Sequence, residues 1–493
     1  MKLKRPILVG GLGLSASLWL LNAVGHSPMG HALGDGSGML GAIALGSAGI
    51  WWLKQRTTPT LELDPPLALG PVDRAAVEAV LTRAEDRTNT IVEELPDAIK
   101  ADKAQSIWSL IEQQKQVIAQ LLTQADRETL SIAVVGNKAT GKTTLVSHLD
   151  KVWRGTQPSV VSLTEVNGDD TSVSVDTDLV LFVTAADLTQ SELQRIQTLL
   201  KSGYRVQLAF NKQDQLTPLD RQSVLQRIQT RVEGLGIDVR AIATQPNPIK
   251  VRRHQENGKV EEFSQQPEVQ ISALTERLDH LVENEAQQLV LTTTLRQAKT
   301  LLAATQTLLN EQRRSRALPI VEQMQWIAAG SAFASPLPSL DLLASTAINA
   351  QLIADLGAVY NQTFSLEQAK AAAGTLAEML VKLGLVELST QALGSLLKTH
   401  VATYVAGGAL QGVSAAYLTR MVGLSLIDFF EEQSLLAPEK RTFAFSEMGD
   451  RLQAIFKTTK QGLGLQAFVQ QALNHLPALP SASAQSPSAT VTP

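Results

Sequence analysis

Residues 131–145, SIAVVGNKATGKTTL, constrain what this chain can fold into more than any other stretch. The apolar, β-branched run SIAVV leads into GNKATGKT at residues 136–143, which fits G-x-x-x-x-G-K-[ST], and an amphipathic helical pattern follows. A strand and a helix joined by such a loop make an anion cradle. The glycines let the backbone wrap a phosphate, and successive N–H groups and the helix N-terminus point at it. Lys142 balances the β- and γ-phosphate charge, and the Thr143 hydroxyl completes a Mg²⁺ shell. The candidate phosphate-binding residues are Gly136, Asn137, Lys138, Ala139, Thr140, Gly141, Lys142, Thr143 and Thr144.

The texture around the loop agrees with that reading. SIAVV, VVSLTEV, LVLFVT, RVQLAF and VRAIAT alternate with helical stretches such as TTLVSHLDKVW, SELQRIQTLLKS and DRQSVLQRIQTRVEGL. This alternation predicts an α/β domain, a mostly parallel sheet with flanking helices. RVQLAF delivers Asn211, Lys212, Gln213 and Asp214, an N-K-x-D at the carboxyl end of a strand, where ligands of open α/β sheets gather. The Asp214 carboxylate only accepts, so it can take the ring N–H and the exocyclic amino group of guanine, a donor pair that adenine lacks. GTP and GDP are therefore expected over ATP.

The two motifs together resemble those of the GTPase superfamily of P-loop proteins, over residues 130–244. The resemblance implies a short loop after the last strand that backs the guanine; Ala243 and Thr244 match it best, Ser272 and Ala273 less well. It also implies a D-x-x-G that holds Mg²⁺ through water and senses the γ-phosphate, and none lies between the phosphate loop and NKQD. The nearest relic is Glu165-Val166-Asn167-Gly168, followed by Asp169 and Asp170, which makes Thr143 and Glu165 the candidate metal ligands. Asp176-Thr177 is an alternative that leaves no room for a switch before LVLFV, and Asp187 reads as a solvated strand end. The segment between Lys142 and Glu165 is short, so the first switch is trimmed. Binding with weak hydrolysis is expected, and no catalytic residue is assigned.

The chain opens with two uncharged runs. Residues 6–25 are about 20 residues long, enough for the hydrocarbon layer, and residues 36–53 end in Trp51 and Trp52 at an interface position. Lys2, Lys4 and Arg5 precede the first run while Lys54 and Arg56 follow the second, so both ends of a transmembrane helical hairpin at 1–56 face the cytoplasm. A cleaved leader also begins with such a basic, apolar pattern, but it would export the nucleotide site and leave the second run unexplained. Residues 57–128 read as a linker and helical stalk, 129–275 as the P-loop GTP-binding domain with a polar hairpin candidate at 250–263, 276–475 as a helical domain, and 476–493 as a disordered tail.

From Ala317 the text ALPIVEQMQWIAAGSAFASPLPSLDLLASTAINAQLIADLGAVY, followed by FSLEQAK, resembles the YcjF-like family of bacterial membrane-associated proteins, whose biochemical role is undefined. Cyanobacterial GTPases that fuse such a domain to a G domain are similar in LFVTAADLTQSE, IKVRRH, VKLGLVELSTQAL and YVAGGALQGVSAAYLTRMVGLSLIDFF. These resemblances imply a membrane-linked GTP-binding protein and supply no substrate; the charges that flank the hairpin give the expectation of an integral membrane protein with the bulk of the chain facing the cytoplasm. The uncharged residues 401–418 fit a buried bundle helix better than a span, because Gly407, Gly408 and Gln411 lower their apolarity and Asp428, Glu431 and Glu432 follow. Arg313, Arg314 and Arg316 fit either a lipid-headgroup contact or, more commonly, a solvated helix end.

Composition closes other routes. A net charge of -4 gives no general surface for nucleic acid, the absence of cysteine removes disulfides and thiolate metal sites, and the 7 histidines show no ligand spacing. The partners expected are guanine nucleotide, with Mg²⁺, and the lipid bilayer, with a homo-oligomer or a protein effector left open. The leading expectation is a membrane-anchored regulatory GTPase with weak intrinsic turnover. The alternatives are a nucleotide-holding pseudo-GTPase scaffold and a GTP-controlled membrane-remodelling or transport-related assembly.

Overall fold

The computed structural model describes residues 70–95, 106–156, 161–166, 173–254, 260–334, 338–397, 407–435, 445–461 and 464–475. The expected transmembrane hairpin, residues 167–170 with Gly168, the first part of the 401–418 run and the 476–493 tail lie outside the described residues. The chain divides into two units, one ending at Leu309 and the other beginning at Asn310.

The first unit opens with two helices, α1 (Arg74–Glu93) and α2 (Ser106–Gln124). The Asp73 side chain caps α1 by accepting from the Ala76 N–H at 2.7 Å. Val77, Val80, Leu81, Ala84 and Ile91 recur on one face of α1, the spacing that gives a helix one apolar stripe. After them come β1 (Leu130–Gly136), α3 (Lys142–His148) with a π-helical continuation over Leu149–Trp153, β2 (Val161–Glu165) and β3 (Leu179–Thr184). The alternation continues through α4 (Gln190–Lys201), β4 (Arg205–Phe210), α5 (Pro218–Arg231) and β5 (Val239–Ala241).

These strands form one parallel sheet in the order β2-β1-β3-β4-β5. Every residue of β3 is buried, as expected for a central parallel strand with helices on both faces. Odd and even positions divide the packing, since successive side chains of a strand point to opposite faces. Ile132, Val134, Leu181 and Val183 pack with Leu145 of α3 and Leu149 of its π-helical continuation, whereas Val135, Val180, Phe182 and Phe210 pack with Ile196 and Leu199 of α4 and Ile228 of α5.

The polar stretch after β5 is an antiparallel hairpin of β6 (Ile249–His254) and β7 (Val260–Gln265). Beyond it, α6 (Ser272–Asn284) covers the α3 face of the sheet with Leu274, Leu278 and Leu281. The long helix α7 (Ala286–Ala334) contains the division between the units. Its first part, through Leu291, Leu295 and Ala298, packs with Val77, Leu81 and Ala84 of α1 and Ile118 and Leu121 of α2. Gln288 fastens the start of α1 by bonding both the N–H and the carbonyl of Val72 at 2.9 Å.

The second unit is helical: the remainder of α7, then α8 (Pro338–Val359), α9 (Leu366–Lys382), α10 (Leu385–Leu397), α11 (Gly407–Leu435), α12 (Gly449–Gln461) and α13 (Gly464–His475). Small residues let these helices approach. A Cβ at Gly423 of α11 would meet Val321 of α7 at 2.7 Å, and Ala369, Ala372 and Ala373 line the buried face of α9. Among the described residues one helix, Leu410–Ser434, is long and apolar enough to cross a membrane, and 72% of its apolar window is buried in the bundle.

Two of the three clustered arginines depart from both sequence readings, while Arg316 is half-buried. Arg313 and Arg314 are only 3% and 8% exposed, so they are neither a solvated helix end nor a headgroup contact. The Arg314 Nη1 donates to Asp428 Oδ1 at 2.9 Å and Glu431 Oε2 at 3.0 Å, and a buried guanidinium requires such acceptors.

Candidate functional site

The phosphate-loop sequence leaves the sheet at the carboxyl end of β1, the edge at which open α/β sheets gather ligands. Two glycines are required by close approach. A Cβ at Gly136 would meet the Val183 carbonyl oxygen at 2.2 Å, and one at Gly141 would meet the Asn211 amide nitrogen at 2.3 Å. Gly141 also holds a left-handed φ of +91° as the residue before α3. Ala139 carries a φ of +62° with a side chain present, and it and Lys138 are exposed at the loop tip.

The loop is internally bonded. Thr140 Oγ1 donates to the Asn137 carbonyl at 2.9 Å. Lys142, the first residue of α3 and 7% exposed, directs its Nζ to the carbonyls of Gly136 and Asn137, each at 2.9 Å. Thr143 is exposed beside it, and its Oγ1 donates to Glu165 Oε1 at 3.0 Å. Thr144 is half-buried on the same turn. Glu165 ends β2, the strand paired with β1. The structure therefore joins the two candidate metal ligands, which are sequence-distant, in one oxygen-rich pair.

Asn211, the first residue of the N-K-x-D, ties the loop after β1 to the loop after β5. It is fully buried, and its Nδ2 donates to the Thr140 carbonyl at 2.9 Å and to Thr244 Oγ1 at 3.0 Å. Its Oδ1 accepts from the Thr244 N–H at 3.0 Å. Lys212 takes a left-handed φ of +61°, turning the chain so that Asp214 follows half-buried in a short 3₁₀ turn. The loop after β5 is held by reciprocal backbone bonds between Ala243 and Gln270, and Ala243 and Thr244 are buried. Ser272, the weaker candidate for this loop, is the first residue of α6, with Ala273 next to it.

Two partners were not singled out from sequence. The Asn247 N–H donates to Asp214 Oδ2 at 3.0 Å, and nothing in the run TQPNP marks that contact. Glu192 of α4 accepts from Asn137 Nδ2 at 2.9 Å. The same residue closes a capping box with Thr189 at the start of α4.

The alternative at Asp176-Thr177 fails on position. The neighbouring Asp178 N–H donates to the Ser131 carbonyl at 2.8 Å, at the start of β1 and so at the opposite edge of the sheet from Gly136. Asp178 is buried against Arg127, and the Thr177 carbonyl accepts from Thr293 and Arg296. Asp187 is paired with Arg227 at 3.0 Å. Among the described residues no group of three or more His, Asp or Glu could hold a metal ion, so a cation here would draw further ligands from phosphate oxygens and water.

Residues 296–461 match the family model described as a domain of unknown function, DUF697. No curated protein matches the sequence. Among solved structures, a chain from "an oligomerised bacterial dynamin pair" described as "a mechanism for the long-range sensing and tethering of membranes" is 12% identical, covering 81% of this chain and 79% of that one, with a TM-score of 0.23. "LeoA bacterial dynamin GTPase from ETEC" is likewise 12% identical, covering 82% and 99%, with a TM-score of 0.23. The chain thus carries a five-stranded parallel α/β sheet ahead of a region that matches the DUF697 model.

Proposed function

We propose that this chain is a membrane-anchored, guanine-nucleotide-binding protein that acts as a regulatory switch with weak intrinsic GTP hydrolysis. The observation that carries the reading is Asn211, which bonds the phosphate loop at Thr140 and the loop after β5 at Thr244. Phosphate-binding and base-reading segments thereby form one preorganised surface at the carboxyl edge of the sheet. The triphosphate would rest on the N–H groups of residues 137–144, with Lys142 balancing its charge; guanine would meet Asp214, with Ala243 and Thr244 behind it.

Mg²⁺ fits the residues present. A hard cation takes oxygen ligands, and Thr143 Oγ1 and Glu165 Oε1 lie 3.0 Å apart at the end of the loop. Bound there, the ion would neutralise charge on the transferring phosphate. Glu is one methylene longer than the Asp of D-x-x-G, and no residue is assigned to orient water, so weak turnover is the expectation. The same observation favours a second reading, a scaffold that holds nucleotide without cycling. Membrane anchoring rests on the uncharged runs at 6–25 and 36–53 and on the basic residues that flank them.

Fluorescent-GDP titration of the detergent-solubilised protein tests the nucleotide reading. Wild type should bind in the micromolar range or tighter, and Lys142→Ala should lose binding at least a hundredfold, because it removes a charge-assisted contact to two phosphates. Equal binding by both proteins would refute it. Single-turnover hydrolysis of GTP then separates switch from scaffold.

A further inference from the structure

Within the phosphate loop, Asn137 is the junction. Its carbonyl accepts from both Thr140 Oγ1 and Lys142 Nζ, so the placement of Asn137 sets where the lysine is held. What fixes Asn137 lies outside the loop. Its side-chain amide donates to Glu192 Oε1 at 2.9 Å, and Glu192 is 5% exposed. We propose that Glu192 is a positioning residue for the phosphate grip, acting through Asn137 on Lys142; this rests on the guanine-nucleotide reading above.

Burying a carboxylate is costly unless its oxygens are bonded. At Glu192, Oε2 accepts from the Thr189 N–H and Thr189 Oγ1, both at 2.8 Å, and the first of these, with the Glu192 N–H donating to Thr189 Oγ1 at 3.3 Å, closes a capping box on α4. That box uses one oxygen and works at a solvent-exposed helix start. The bond from Oε1 to Asn137 therefore adds nothing to the cap. It braces a loop that needs bracing, since Ala139 sits in a left-handed conformation that residues with a Cβ seldom adopt. The helix N-terminus partly offsets the carboxylate charge that would otherwise face bound phosphate. A charge-assisted bond is also stronger than a neutral one, which suits a brace made by a single contact.

The test uses the full chain with Glu192→Ala, Glu192→Gln, Asn137→Ala and the Glu192→Ala/Asn137→Ala double variant. Glu192→Ala should weaken GDP and GTP binding about tenfold, the loss of one bond to a charged acceptor, with the GTP-to-ATP preference unchanged. Asn137→Ala should do the same, and the double variant should be no weaker than Asn137→Ala. Glu192→Gln should stay within about twofold of wild type, because its oxygen can serve Thr189 while its amino group donates to a turned-over Asn137 amide. Losses that multiply in the double variant, or wild-type affinity in a thermally weakened Glu192→Ala, would reduce Glu192 to a helix cap and overturn the proposal. Hydrogen exchange at the amides of residues 137–142 in nucleotide-free protein reads the brace independently of ligand. Should wild type bind no guanine nucleotide, the GTP reading falls. Faster loop exchange in Glu192→Ala would then still support the brace, and unchanged exchange would overturn it.

Discussion

Replacing Asn211 should loosen the carboxyl edge of the sheet by an amount that can be worked from its bonds. In Asn211→Ala, the buried Thr140 carbonyl and Thr244 N–H both lose their partner. Each unsatisfied buried group costs about 1–3 kcal/mol, and water entering the gap recovers part, so a net loss of about 3 kcal/mol is expected. Asn211→Asp is the sharper test. It keeps an acceptor for Thr244 N–H but turns the donor that met the Thr140 carbonyl into a second acceptor, so it should cost at least as much as Ala. The chain has more than one unit, so a single unfolding free energy is the wrong readout. Native-state hydrogen exchange at residues 134–136 and 208–211 reports the local value. Protection changed by less than about 0.5 kcal/mol in both variants, or an Asp variant as protected as wild type, would refute the claim that Asn211 joins the two loops.

Three further outcomes are expected. Glu165→Ala should keep GDP affinity within about threefold while weakening its dependence on Mg²⁺, measured by titrating the metal at fixed nucleotide; unchanged metal dependence would remove Glu165 from the cation's surroundings. Burial, with Glu431 nearby, pushes the Glu311 carboxyl up to about 7. The folded state then holds a proton that the unfolded state releases from its ordinary value near 4.5, so this contribution, at most about 3 kcal/mol, is present below the unfolded value and is lost as pH rises through about 7. Glu311→Gln should flatten that decline in urea titrations of the helical unit between pH 5 and 8, and an identical slope in both proteins would contradict it. A cysteine placed at Gly30 should react only from the non-cytoplasmic face; reaction from the cytoplasm would reverse the proposed topology.

Where one residue type has one physical use, the sequence could be read directly. LVLFVT and RVQLAF coincide with β3 and β4, because a short continuous run of β-branched and aromatic residues bounded by polar ones suits a strand buried on both faces. The loop glycines could be placed for a related reason, since no side chain fits against the Val183 carbonyl or the Asn211 amide. What stayed hidden were partners. Periodicity marks an apolar face on α1 and α2 without saying that Leu291, Leu295 and Ala298, more than 160 residues later, would cover it. A run of arginines looks solvated until the acids that bury Arg314 arrive from another helix. Glu192 looks like a helix cap, and its second oxygen, turned toward Asn137, leaves no trace in the local pattern.

Competition between GTP and ATP for the nucleotide-free protein, run on wild type and Asp214→Asn, tests the central claim most directly. Asp214, oriented through Oδ2 by the Asn247 N–H, offers acceptors to two guanine donors, and each such bond to a charged group is worth about 1.5 kcal/mol or more. Wild type should therefore prefer GTP by at least about a hundredfold. Asp214→Asn should lose most of that preference and gain affinity for xanthosine triphosphate, whose ring carries an acceptor where guanine has a donor. Wild type that binds ATP and GTP equally, or an Asp214→Asn variant that keeps the full preference, would contradict the account.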